Sequence, residues 1–138
     1  MLYNMDTLSP EERSRRMSRV KSKNSKPELL VRKLIHSMGY RYRLHESRLP
    51  GKPDLVFWGK QKIILVHGCF WHRHGKCPLT RWPKSKLNFW KPKLEANKKR
   101  DKRNISQLKS MHWDVMIIWE CEIPDRVNLI ERLKTFLA

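Results

Sequence analysis

Between positions 69 and 77 the chain reads Cys-Phe-Trp-His-Arg-His-Gly-Lys-Cys, and Cys121 follows the apolar run 113–119. This cluster constrains the fold more than any other feature, because a tetrahedral zinc ion takes four nitrogen and sulfur ligands and Cys3His is a common structural set. Cys69 and Cys77 with either His72 or His74 would supply three ligands from one loop. Cys121 would close the site from a neighbouring strand, pinning two distant parts of the chain together. Cysteine can also be a small buried hydrophobe; that reading suits Cys121 alone, but not two Cys and two His within nine residues. Spacing by itself leaves His72 and His74 as alternatives. Three cysteines cannot all form disulfides, and no secretory signal opens the sequence, so thiols or metal ligands are expected.

The chain has 138 residues, 39% of them apolar, enough for one domain with one core. No apolar run approaches the ~18 residues that span a bilayer, so a cytoplasmic protein is expected. Thirty-one Lys and Arg against 13 Asp and Glu give a formal charge of +18. Such a field calls for a polyanionic partner. Basic residues recur through 13–26, 91–103 and the segment around Lys84–Lys86, interleaved with six Trp. Aromatic rings among cations suit stacking on bases, which favours nucleic acid over a merely solvated basic surface. No segment combines a basic face with a bulky aromatic one, so a membrane surface is not the expected partner.

Along the chain, residues 9–22 predict a short basic helix, with Ser9 as cap and Pro10 at its first position. Residues 1–24 are read as an arm and 25–138 as the catalytic domain. A helix starts near Ser25, and Leu29, Leu30, Val31, Leu34, Ile35 and Met38 follow helical period up to Gly39. Strands are expected at 40–45, 53–58 and 62–66, the last two as a hairpin within the sheet. Segment 67–84 is too rich in Cys, His, Gly and Pro for a regular element. A long helix at 93–111, a buried strand at 113–119 and a helix at 125–137 burying Val127, Ile130, Leu133 and Leu137 complete the order. The order α-β-β-β-α-β-α predicts an α/β fold, a mixed sheet flanked by helices.

Further signals carry chemistry. Asp54 follows Pro53 at the entry to an apolar strand, where a carboxylate desolvates badly unless paired; a magnesium ion is one such partner, and a plain turn residue is the duller alternative. Asp101 lies on the stripe of Leu94, Ile105 and Leu108. It could orient His67 or His72, or simply sit exposed at the stripe's edge. Phe70, Trp71 and Trp90 are candidates for wedges that open a base step, an event cheaper at a mismatch. Trp58, Trp113 and Trp119, at strand positions, are read as core.

The segments R-S-R-R-M, the K-P-E helix start, L-P-G-K-P-D, H-G-C-F-W-H, R-D-K-R-N-I-S-Q-L and I-W-E-C together closely resemble the very-short-patch repair (Vsr) DNA mismatch endonucleases of bacteria, over nearly the whole chain. The resemblance implies a restriction-endonuclease-like core related to PD-(D/E)XK nucleases. It also implies nicking 5′ of the T in T:G mismatches. By position it makes Asp54 a Mg²⁺ ligand together with the main-chain carbonyl of Val66. It makes His72 the general base or acid, Asp101 the support of His67 near the phosphate, and Glu28 the helix carboxylate of the same site. It gives zinc to Cys69, His74, Cys77 and Cys121, and makes Phe70, Trp71, Trp90 and Met17 the inserting residues. Val66 stands where the family usually has Thr, a swap to which a carbonyl ligand is indifferent. The second half of the general nuclease motif is missing, and His67 with His72 replaces its Lys. A monomer acting on mismatched duplex DNA in the bacterial nucleoid, alongside mismatch-repair proteins, is the expectation. A non-catalytic zinc-stapled DNA-binding module, or the same nuclease on another DNA target, is the alternative.

Overall fold

In the computed structural model the described residues are 25–75 and 77–138; the helix expected at 9–22 and Met17 lie outside them. Helix α1 spans Lys26–Ser37, with the Ser25 side chain accepting from the Glu28 N–H as an N-cap. It is followed by β1 (Arg43–Leu44), β2 (Leu55–Phe57) and β3 (Lys62–His67). Then come a four-residue helix α2 (Cys69–His72), the long α3 (Leu87–Ser110), β4 (Asp114–Trp119) and α4 (Arg126–Leu137). The sheet order is β1-β2-β3-β4; β1, β2 and β3 run antiparallel in turn, and β4 lies parallel to β3. The expected mixed sheet flanked by helices is present, with the expected hairpin inside it.

Alternation along the strands sorts two cores. Leu55, Phe57, Ile64, Val66, Met116 and Ile118 face α1 and α4 through Val31, Ile35, Leu129, Leu133 and Leu137. Val56 and Ile63 face the other way, onto Leu49, Leu108 of α3 and Trp113. Helices on both faces explain why β2 and β3 read as unbroken apolar runs.

Several expectations shift. Only residues 43–44 of the expected strand 40–45 pair, Arg43 with Val56 and Leu44 with Leu55. Helix α3 starts six residues earlier than expected and contains Pro92. A proline in the second turn costs one bond, to the Asn88 carbonyl, and leaves the rest of the ladder intact. Segment 67–84 is not wholly irregular: α2 forms after an extended Gly68 and stops at Arg73, whose φ is +52°. In α4, Val127 is exposed and Leu129 takes its place in the core. Trp58 is likewise not core; it is 39% exposed, edge-on to Trp113 with Arg48 over its ring.

Candidate active site and metal centre

One end of the sheet gathers the chemistry. Parallel pairing aligns His67 with Trp119, so β3 and β4 both finish at this end. Antiparallel pairing brings the start of β2 there, with Asp54, and the exit of β1, with His45. The first turn of α1 adds Glu28. Gly51, at φ +76°, lets the loop before Asp54 lie against α3; a Cβ there would come within 2.7 Å of the Asn104 side chain.

Asp54 Oδ2 accepts the Val66 N–H at 2.8 Å, which fixes the carboxylate beside the main chain of Val66. Glu28 is 2% exposed; its Oε2 lies 2.7 Å from His45 Nε2 and 3.4 Å from the Arg32 guanidinium. One ligand atom from each of Glu28, His45 and Asp54 falls within 4.8 Å of the others. Burial pushes the Asp54 carboxyl up from 3.8 to about 7; the Val66 N–H opposes this, and the charges of Glu28 and Asp101 add to it.

That shift carries a sign. The folded state holds a proton that the unfolded chain releases near 3.8, so stability falls as pH rises from there to about 7. Asp54→Asn keeps an acceptor for Val66 and never ionises. In metal-free buffer it should raise stability at about pH 8 by roughly 2–4 kcal/mol. The gain should shrink toward pH 4, as read by thermal melts across the range. Identical melts of both proteins at every pH would show that burial does not strain this carboxylate.

Beside this group, His72 Nδ1 is hydrogen-bonded to Asp101 Oδ2. The His67 ring stacks on that of His72, centroids 3.8 Å apart and planes 8° from parallel. His67 is 6% exposed, and its pKa is held well below 6.5, by burial first and by His72 second. His67 is therefore a neutral imidazole near neutral pH. The structure joins Asp101 to His72 and not to His67. His67 ends a buried strand beneath the His72 ring, while Asp101 approaches on α3, which packs against α2 and meets His72 first.

The sulfur group lies at the ends of the same two strands. Cys69, His74, Cys77 and Cys121 each place a ligand atom within 4.8 Å of the others. His74 Nδ1 lies 3.6 Å from Cys69 Sγ and 3.4 Å from Cys121 Sγ. Tetrahedral zinc bonds near 2.3 Å to sulfur and 2.0 Å to nitrogen imply S···N edges of about 3.5 Å, so the donor set fits. Glu120 receives the Cys69 N–H at 3.3 Å, tying loop to strand end. Trp119, expected in the core, stacks on the His74 ring at 4.1 Å. Without an ion, burial pushes the Cys69 and Cys121 thiols upward.

The expected wedges divide. Phe70 and Trp90 are 1% and 2% exposed and pack with Leu94 in a third core, with Trp71 at its margin. They are not free at the surface, because α2 turns Phe70 inward onto α3. The Trp71 and Trp90 indole N–H groups have no hydrogen-bond partner among the described residues. Phe89 and Trp82 are instead exposed, 49% and 39%. The Arg73 guanidinium lies 3.8 Å over Trp82, and Lys93 sits beside Trp71, Phe89 and Trp90.

Sequence reasoning missed His45. The signal was in the register: pairing Leu44 with Leu55 sets the next residue, His45, across from Asp54, and its N–H donates to the Asp54 carbonyl at 3.1 Å.

Residues 5–78 match the family model described as DNA mismatch endonuclease Vsr. A type II nicking enzyme of Xanthomonas oryzae, V.XorIIP, is 49% identical over 132 residues, covering 96% of each chain. The DNA mismatch endonuclease Vsr of Escherichia coli is 35% identical, covering 94% of this chain and 83% of its own. A Neisseria meningitidis type II nicking enzyme, V.NmeAIP, is 38% identical over 93% of this chain and 91% of its own. With the His67–His72–Asp101 and Asp54–Glu28 groups at one sheet end beside the Cys3His cluster, these matches place the chain in the DNA mismatch endonuclease Vsr family.

Proposed function

We propose that this protein nicks one strand of a T:G-mismatched duplex 5′ of the mispaired T, by Mg²⁺-dependent phosphodiester hydrolysis on a restriction-endonuclease-like fold. The observation that carries the reading is the junction at one sheet end of half-buried Asp54 and buried Glu28 with the stacked His67–His72–Asp101 group. The names of the relatives, endonucleases and nicking enzymes, point the same way.

Hydrolysis needs a proton taken from water and one given to the leaving oxygen. The Asp101 carboxylate accepts from His72 Nδ1–H, fixes the ring's tautomer and leaves Nε2 to move the proton. His67, kept neutral, holds the His72 ring by stacking and offers a ring N–H near the phosphate without adding a charge of its own. Asp54, Glu28 and the Val66 carbonyl would hold Mg²⁺, which when bound supplies charge neutralisation at the phosphate. Cys69, His74, Cys77 and Cys121 would hold a structural Zn²⁺. Trp71, with Phe70 and Trp90 drawn from their core and Met17 from the arm, would open the mismatched step, and the net charge of +18 supplies phosphate affinity. One chain suffices for one nick, with mismatch-repair proteins as partners in the cell.

The test is cleavage of end-labelled T:G and T:A duplexes of one sequence, with Mg²⁺ or EDTA, beside Asp54→Ala. A Mg²⁺-dependent nick 5′ of the mispaired T, absent in the variant, is the expected result. Equal cutting of T:A would end the mismatch assignment. No cutting of either across several flanking sequences would favour a zinc-stapled binding module.

A further inference from the structure

Beyond the carboxylates, the Asp54 site contains a nitrogen donor. His45 leaves β1 at φ +45°, a left-handed backbone conformation that few non-glycine residues adopt. Its N–H is held by the Asp54 carbonyl at 3.1 Å, and the next N–H, of Glu46, by the Pro53 carbonyl at 3.3 Å. The turned backbone sends the ring to the two acids instead of outward along the strand. His45 Nε2 reaches Glu28 Oε2 at 2.7 Å, and one ligand atom from each of His45, Glu28 and Asp54 lies within 4.8 Å of the others. Neighbouring ligands of an octahedral ion bonded at about 2.1 Å lie about 3 Å apart and opposite ones about 4.2 Å, so side-chain shifts of up to about 2 Å bring these atoms onto one ion.

We propose that His45 is a third side-chain ligand of the divalent-cation site formed with Glu28 and Asp54, and that it tilts this site toward Mn²⁺ over Mg²⁺. The inference rests on the reading of Asp54 as a cation ligand given above. Magnesium is a hard ion that favours carboxylate, carbonyl and water oxygens, whereas imidazole nitrogen suits transition-metal ions. A site with one imidazole and two carboxylates gains more from the nitrogen when Mn²⁺ is bound. A histidine acting only as counter-ion to Glu28 would do the reverse: it would compete with any cation, and its removal would strengthen binding of both.

The measurement is Mn²⁺ binding to the full chain preloaded with zinc, by electron paramagnetic resonance of free Mn²⁺, with Mg²⁺ as competitor. Wild type, His45→Gln, His45→Ala and Asp54→Ala are compared, each checked for folding by circular dichroism. The wild-type protein should prefer Mn²⁺, and His45→Gln, which offers an oxygen in place of the nitrogen, should lose about tenfold in Mn²⁺ affinity while Mg²⁺ affinity changes by less than about threefold. His45→Ala should weaken both ions, Mn²⁺ more. Asp54→Ala should lose both. Unchanged or tighter Mn²⁺ binding in His45→Gln, with binding lost in Asp54→Ala, would overturn the His45 assignment alone. Mn²⁺ binding that survives Asp54→Ala would overturn the cation site itself.

Discussion

His72→Ala should slow nicking of a T:G duplex by about a thousandfold, since a positioned proton-transfer group contributes roughly 10²–10⁴ in rate. Binding of the same duplex, measured by anisotropy, should change by less than about threefold, because phosphate contacts from Lys and Arg dominate affinity. Asp101→Asn tests how His72 is set. The amide can still contact Nδ1, but its NH2 can also donate there and favour the wrong tautomer. A loss of about ten- to a hundredfold in turnover, with the KM for DNA nearly unchanged, is expected. His72→Ala that binds DNA poorly while remaining folded would remove the division between chemistry and binding. Full activity in Asp101→Asn would mean that the carboxylate does not orient the ring.

Loss of the Cys3His group should have the second large effect. Cys121→Ser removes the one ligand carried beyond β4, so the link between that strand's end and the 69–77 loop is cut. Zinc content by atomic absorption should fall from one ion per chain to nearly none. The thermal midpoint should drop by roughly 10 °C or more, since metal-binding free energy is folding free energy at such sites. The main core between the sheet, α1 and α4 contains none of the four ligands, so far-UV circular dichroism should survive at room temperature. Nicking should nonetheless fail, because Cys69 and His74 bracket His72 and set where α2 holds it. A zinc-free wild-type chain with an unchanged midpoint and full nicking would end the structural-metal reading.

The two largest effects fall on residues that differ in how legible they were. The Cys-His spacing of 69–77 pointed to a metal site, but two histidines two residues apart could each have been the ligand on spacing alone. Folding separates them: Arg73 in a left-handed conformation ends α2 between them, sending His74 to the thiols and leaving His72 facing Asp101. Asp101 was conspicuous as a carboxylate on an apolar stripe, yet its partner could not be chosen without knowing which ring lies nearer α3. His45 passed unnoticed because a histidine at a strand end carries no signal until the register places it opposite Asp54.

Aromatic residues mark the same boundary. Phe70 and Trp71 read as candidate wedges, but α2 lays Phe70 against Trp90 and Leu94, making a small core that the helical stripe of α3 alone did not reveal. Trp58, at a strand end, looked buried and is 39% exposed.

By itself the sequence determined the order of elements apart from α2, the hairpin of β2 and β3, the mixed sheet with helices packed against it and the basic charge, because hydrophobic period and net charge are local or summed properties of the chain. Only the tertiary structure decided that His72 takes Asp101, that His45 joins Asp54 and Glu28, and that Trp119 covers His74. Each of those pairings joins residues far apart in sequence, and strand register, helix packing and a backbone turn at one residue fix which atoms meet.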